Sequence, residues 1–109
     1  MAKYIVTGCY TPAAMKGMIA NPTDRETATA AVIAAAGGKL ESYHLTTGES
    51  DFIIRVRTDD IVMLLASLIA VGATGAVSNF KTVQCFTSAE FLQAQKAAGA
   101  IATKYSAPS

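Results

Sequence analysis

Two runs of β-forming residues joined by a short glycine-containing loop lie in the middle of the chain. The runs cover Lys39 to Thr47 and Asp51 to Thr58, and the loop reads Thr47-Gly48-Glu49-Ser50. This arrangement predicts a β-hairpin and therefore an antiparallel sheet. Because pairing in a hairpin follows from the loop length, a four-residue loop also predicts the cross-strand partners. They are Thr46 with Asp51, Leu45 with Phe52, His44 with Ile53, Tyr43 with Ile54, and Ser42 with Arg55.

A helix is predicted on each side of the hairpin. The stretch Thr23-Asp24-Arg25-Glu26 has the S/T-x-x-E form of a capping box with Thr23 as the cap, and Gly37-Gly38 ends the helix that follows. After the hairpin, Thr58-Asp59-Asp60 precedes an apolar helix from Ile61 to Val71.

Two further β-rich segments and a last helix complete the chain. Strands are predicted from Lys3 to Tyr10 and from Ala76 to Phe86, and the capping box Thr87-Ser88-Ala89-Glu90 opens a helix to about Tyr105. The order β-α-β-β-α-β is the ferredoxin-like α+β arrangement on an antiparallel sheet, followed by a C-terminal helix. We expect one domain over residues 1–105 and a loose tail at 106–109.

Composition limits the class of function. Of 109 residues, 51% are hydrophobic and 16% are charged, which is typical of a packed globular chain. A net charge of +1 argues against a nucleic-acid partner. The longest apolar run, 61–73, is too short to cross a membrane, and Cys9 and Cys85 have neither metal-binding nor disulfide-scaffold spacing. These features predict a cytoplasmic protein with no membrane partner, metal or cofactor.

The hairpin register gives one face of mixed polarity. If that face carries chemistry, His44 is the candidate general base, Asp51 orients it, and Arg55 holds an oxyanion. The alternatives stay open: His44 satisfied by water or a neighbour, Asp51 bonded to the hairpin backbone, and Arg55 in an ion pair. Further candidate ligand-binding residues are Ser42, Thr46 and Ile53 on this face, and Arg25 and Lys16 near the first helix.

The helix from Ile61 to Val71 is apolar nearly all round, whereas a surface helix needs only one apolar stripe. Its expected sheet-facing residues are Ile61, Leu64, Leu65 and Leu68. Val62, Met63 and Ile69 then remain for the C-terminal helix or for another subunit, and a homo-oligomer is favoured.

The sequence resembles the GYD domain family of small bacterial proteins over nearly its whole length. The resemblance rests on Tyr4-Ile5-Val6, Tyr10-Thr11, Lys16-Gly17, Arg25, Gly37-Gly38-Lys39, Tyr43, Thr47 to Phe52, Asp59-Asp60 and Cys85-Phe86-Thr87. In the motif Gly-x-Tyr-Asp, Gly48 and Asp51 are kept, and Ser50 replaces the usual tyrosine. The resemblance implies a dimeric α+β barrel in which the sheet faces of two protomers enclose a cavity.

Two classes of function follow from these features. In the first, a homo-oligomer binds a small, partly apolar molecule between its subunits, and it is a candidate enzyme for cofactor-independent proton transfer or oxygenation. In the second, the protein is a non-catalytic module for assembly or ligand sensing.

Overall fold

An antiparallel sheet organises the computed structural model, which describes residues 1–108. The strands lie in the order β2-β3-β1-β4, and every neighbouring pair is antiparallel. This is the predicted ferredoxin-like α+β fold. The elements are β1 (Ala2–Tyr10), α1 (Pro12–Ala20), α2 (Arg25–Ala35), β2 (Lys39–Leu45), β3 (Phe52–Thr58), α3 (Ile61–Ala73), β4 (Val77–Cys85) and α4 (Ser88–Ala102).

The predicted hairpin register is confirmed. Leu45 pairs with Phe52, and the amide of Thr46 donates to the carbonyl oxygen of Asp51 at 2.8 Å. The other predicted strand pairs, His44 with Ile53, Tyr43 with Ile54 and Ser42 with Arg55, are also present. The sheet therefore has a helix-covered face, which carries Phe52, Ile54 and Val56, and an uncovered face, which we call the open face.

The core lies between the sheet and the helices α2 and α3. Side chains alternate along the two central strands, so that every second residue points into this layer. Its fully or nearly buried apolar members are Tyr4, Val6, Ile33, Phe52, Ile54, Val56, Leu64 and Val77.

Two features of the first helical region differ from expectation. Helix α1 was not predicted, because none of its residues is buried and its apolar residues form no clear stripe. The cap of α2 is Asp24 rather than Thr23: its carboxylate accepts from the amides of Glu26 and Thr27 at 3.0 and 3.4 Å. A carboxylate is the stronger acceptor at the positive end of a helix. The Thr23 hydroxyl instead accepts from Arg25 Nη1 at 3.1 Å.

Helix α3 is rotated from the predicted orientation. Leu64 and Ser67 are buried, whereas Ile61 and Leu65, which were expected to face the sheet, are exposed. Ser67 tolerates burial because its hydroxyl donates to the carbonyl of Leu64 at 2.6 Å. No helix within residues 1–108 has both the length and the hydropathy that crossing a membrane requires.

Helix α4 begins with the predicted capping box at Thr87 and Glu90 but leaves the body of the domain. Every residue of α4 is exposed, and it ends at Ala102 rather than near Tyr105. The chain extends 60 Å along its longest axis, and its radius of gyration is 18.0 Å. A compact chain of this length has a radius of about 13 Å. Residues 105–108 have no regular secondary structure, and Ser109 of the predicted tail lies outside the described residues.

Candidate functional site

A cavity of about 220 Å³ lies between α2, α3 and the helix-covered face of the sheet. Its walls are mostly apolar and come from every layer of the core. Val6 and Ile54 form the floor, Ile33 lies on the α2 side, and Leu68 and Val71 lie on the α3 side. The cavity exists because small side chains, Ala28 and Ser67 among them, face this space.

Arg25 is the one charged side chain among the residues that line this cavity. It is the first residue of α2 and is half-buried. Its Nη1 donates to Thr23 at 3.1 Å, and its Nε is buried without a hydrogen-bond partner. Within the described part of the chain, no carboxylate forms an ion pair with Arg25. A guanidinium with unused donors at an apolar cavity is suited to an anionic group.

Two tyrosines lie beside this cation. The hydroxyl oxygens of Tyr10 and Tyr43 are 2.6 Å apart, and the Tyr10 ring packs on Phe52 with ring centroids 5.4 Å apart. Burial raises the pKa of Tyr43 well above its usual value, and the hydrogen bond between Tyr43 and Tyr10 adds to the shift. The Tyr43 hydroxyl therefore keeps its proton at neutral pH, and it is already hydrogen-bonded to Tyr10.

A second cavity of about 260 Å³ adjoins the first on the α1 side. Both cavities are lined by Tyr10, Arg25 and Ala76, so the Arg25 side chain stands where they meet. The unpredicted helix α1 supplies Ala14, Gly17 and Met18 to the second cavity. Helix α1 thus forms one wall of the space around Arg25.

The predicted catalytic and ligand-binding residues of the hairpin lie away from these cavities. Ser42 and Arg55 are cross-strand partners, as are His44 and Ile53, all on the open face. The register places five cations on that face: Lys3, Lys39, Arg55, Arg57 and Lys81. Arg57 approaches Glu41 at 4.0 Å, the outer limit of an ion pair. Among residues 1–108, Arg55 forms no ion pair and lines a cleft of about 500 Å³ with Lys3, Cys85 and Glu90.

Asp51 contacts β1 rather than His44. Its carboxylate accepts from the amide of Tyr10 at 2.8 Å, and its own amide donates to the carbonyl of Gly8 at 2.9 Å. Across the described residues, no hydrogen bond joins Asp51 to His44, whose side chain is exposed. The loop is also held by the Thr46 hydroxyl, which donates to the carbonyl of Ser50 at 2.7 Å.

The remaining predicted residues are on exposed surfaces. Lys16 is exposed on α1. On α3, Val62, Met63 and Ile69 have 67%, 41% and 71% of their surface exposed, so α4 does not cover them. Of the predicted ligand-binding residues, Arg25 is the one that lines the cavity in the core. The sequence signal for that cavity was the run of small residues on α2, together with Ser67 as the one polar residue of the apolar helix α3.

The chain is similar to several solved structures at low sequence identity. MtbAldR is 15% identical with a TM-score of 0.52, and it matches 80% of this chain and 52% of its own. The transcriptional regulator NMB0573 from Neisseria meningitidis, solved with L-Met, is 11% identical with a TM-score of 0.51 over 80% of this chain and 51% of that one. TTHA0845 from Thermus thermophilus is 18% identical with a TM-score of 0.48, over 81% and 96% of the two chains.

These similarities concern the fold, and the chain spans about half the length of MtbAldR and of NMB0573. No curated protein matches the sequence. The sequence model of the GYD domain matches residues 4–95, which cover both central strands, the hairpin, Arg25 and the start of α4. The chain belongs to the GYD domain family.

Proposed function

We propose that this protein binds a small, partly apolar molecule in the cavity between α2, α3 and the sheet, and that it does so as a homo-oligomer. The observation that carries the proposal is an apolar space of about 220 Å³ with one half-buried cation at its edge. Mostly apolar concave sites with few polar groups are typical of ligand sites.

The ligand-bound neighbour is consistent with this reading. NMB0573, which shares the fold over 80% of this chain, was solved with L-Met, a molecule of similar scale to the cavity. At 11% identity the comparison supports only a fold that accommodates small ligands. The proposed location and chemistry of the ligand site rest on the cavity.

The exposed helix α4 supports the proposal of an oligomer. An isolated helix of this length is marginal in water, and most helices in proteins are stabilised by packing an apolar face. Phe91, Ala94, Ala98 and Ile101 recur at helical spacing and form such a face, yet they are all exposed. The α3 residues Val62, Met63 and Ile69 are exposed too. A second copy of the chain supplies apolar surface for both, because it presents the same surfaces itself.

The open face affects how two copies meet. Its five cations outnumber the carboxylates beside them, which are Glu41 near Arg57 and Glu90 in the Arg55 cleft. Two such faces in direct contact would therefore repel each other. We therefore assign assembly to α4 and α3 first. The competing location for the ligand is a cavity between the open faces of two subunits, with Ser42, His44, Thr46 and Ile53 in its wall. That cavity requires an anion or carboxylates of the partner to offset the positive charges.

A cavity-filling variant tests whether the ligand binds between α2, α3 and the sheet. Ala28→Leu adds three carbons to a residue that lines the cavity, whereas Ala31→Leu adds them at an exposed position of the same helix. With 4-methylpentanamide as the probe, we expect NMR titration to give at least tenfold weaker binding to Ala28→Leu and unchanged binding to Ala31→Leu. Equal binding to both variants would place the ligand elsewhere, including the open face.

Catalysis on the open face is a separate proposal. If His44 acts as a general base there, with Asp51 orienting it and Arg55 holding an oxyanion, His44→Ala abolishes turnover while the oligomer persists. The assay is turnover of the molecule that co-purifies with the protein, with the subunit count followed by light scattering. Full activity of His44→Ala would end this assignment, and the protein would then be a ligand sensor or assembly module.

A further inference from the structure

The polar groups around the cavity differ in whether they have a hydrogen-bond donor free for a ligand. Four hydroxyl side chains line it, and three of them donate their proton within their own helix or helix end. Thr29 donates to the carbonyl of Arg25 at 2.7 Å, Ser67 to Leu64 at 2.6 Å, and Thr74 to Val71 at 2.6 Å. The Tyr10 hydroxyl is engaged with Tyr43. The first three therefore have no free donor for a bound molecule, and the two tyrosines retain one hydroxyl hydrogen between them.

Arg25 is different from these groups. Its Nε is buried and has no partner, and no carboxylate within the described residues forms an ion pair with it. An unpaired buried donor on a charged group is costly, and an acceptor that reaches Nε when the side chain shifts would remove that cost. A planar guanidinium offers adjacent N–H groups whose spacing matches the two oxygens of a carboxylate.

We propose that the molecule bound in this cavity is a monocarboxylate with an apolar tail, whose carboxylate pairs with Arg25 and whose tail lies between α2 and α3. This assignment rests on the proposed function, and it names the ligand class. One cation matches one negative charge. No acidic side chain lines the cavity to balance an ammonium group, so the structure favours an acid without an amino group over an amino acid.

A set of three probes with the same carbon skeleton tests the proposal. They are 4-methylpentanoate, 4-methylpentanamide and L-leucine, which is the same acid with an added amino group. At pH 7 we expect the acid to bind the full-length protein about tenfold or more tightly than either of the others, because charge-assisted hydrogen bonds are the stronger ones. The acid, and not the amide, should shift the NMR resonance of the Arg25 Nε–H.

Arg25→Gln provides the residue-specific result. We expect the preference for acid over amide to fall to about one in this variant, while the affinity for the amide is unchanged. Arg57→Gln is the matched control, since Arg57 lies on the opposite face of the sheet and its Nε is likewise buried without a partner, and this variant should keep the full preference. If Arg25→Gln does not fold, the acid-to-amide ratio and the Nε–H shift of the wild-type chain decide the question.

The outcomes separate this proposal from the function on which it rests. Equal binding of acid and amide, both abolished in Ala28→Leu, would leave the cavity as the ligand site and overturn the carboxylate assignment. L-leucine bound as tightly as the acid would also overturn it. Binding of none of the three probes would count against the proposed function as well.

Discussion

Replacing Gly8 by alanine should destabilise the domain by about 1–3 kcal/mol, the usual cost of overpacking a well-packed core. An added Cβ would lie 2.6 Å from Cζ of Phe52 and 3.1 Å from Cγ1 of Val77. Phe52 is 6% exposed, so its ring has little room to move except towards the cavity. We therefore expect the midpoint of thermal unfolding to fall by roughly 5–15 °C. The same displacement should weaken binding of the amide probe, because Phe52 lines the cavity.

Gly17→Ala is the matched control for this prediction. Gly17 lies inside α1, and an added Cβ meets nothing within 4 Å. Alanine has the higher helix propensity, so this variant should be neutral or more stable by up to about 1 kcal/mol. Unfolding is measured at one protein concentration throughout, because the proposed assembly would make the midpoint concentration-dependent. A neutral Gly8→Ala would show that the contact between β1 and the Phe52 ring is not tightly packed.

Phe91→Glu should dissociate the oligomer. Phe91 is 62% exposed on α4 and is the largest residue of its apolar face. Burying a glutamate in place of an aromatic anchor removes a contact of the kind that contributes about 2 kcal/mol or more. We expect the dissociation constant from sedimentation or light scattering to rise about thirtyfold or more.

Two further variants locate the interface. Gln93→Glu adds the same charge to the same turn of α4, on the side away from Phe91, and should leave assembly unchanged. Met63→Glu weakens assembly only if the exposed side of α3 also meets the partner. An unchanged oligomer in Phe91→Glu would remove α4 from the interface. A chain that is monomeric before any substitution would contradict the assembly proposal.

The sheet was predictable because its signals are local. The four-residue loop set the register of the hairpin, and the alternation of Phe52, Ile54 and Val56 identified the face beneath the helices. The capping box at Thr87 and Glu90 was equally local, and both reciprocal hydrogen bonds are present at 2.8 and 3.1 Å. In contrast, α1 lacks an apolar stripe, and its position depends on tertiary contacts such as the Thr11 amide donating to Ala76.

The site was harder to predict than the sheet, because a cavity is a property of three packed elements. Arg25 was a candidate for anion binding from its place near a helix start, but nothing in its neighbourhood showed that Tyr10 and Ser67 share the same space. Polar residues on the hairpin, such as His44 and Arg55, instead led to a predicted site on the open face. The exposure of α4 could not be predicted from the sequence either, because its composition resembles that of a helix packed on its own domain.

Native mass spectrometry of the protein purified gently from its own cells tests the central claim most directly, because one spectrum reports both subunit number and bound mass. We predict multiples of the 11.3 kDa chain, each subunit carrying one small acid that is missing from Ala28→Leu prepared in the same way. A bare monomer, or an oligomer whose added mass is the same in Ala28→Leu, would contradict a ligand site between α2, α3 and the sheet.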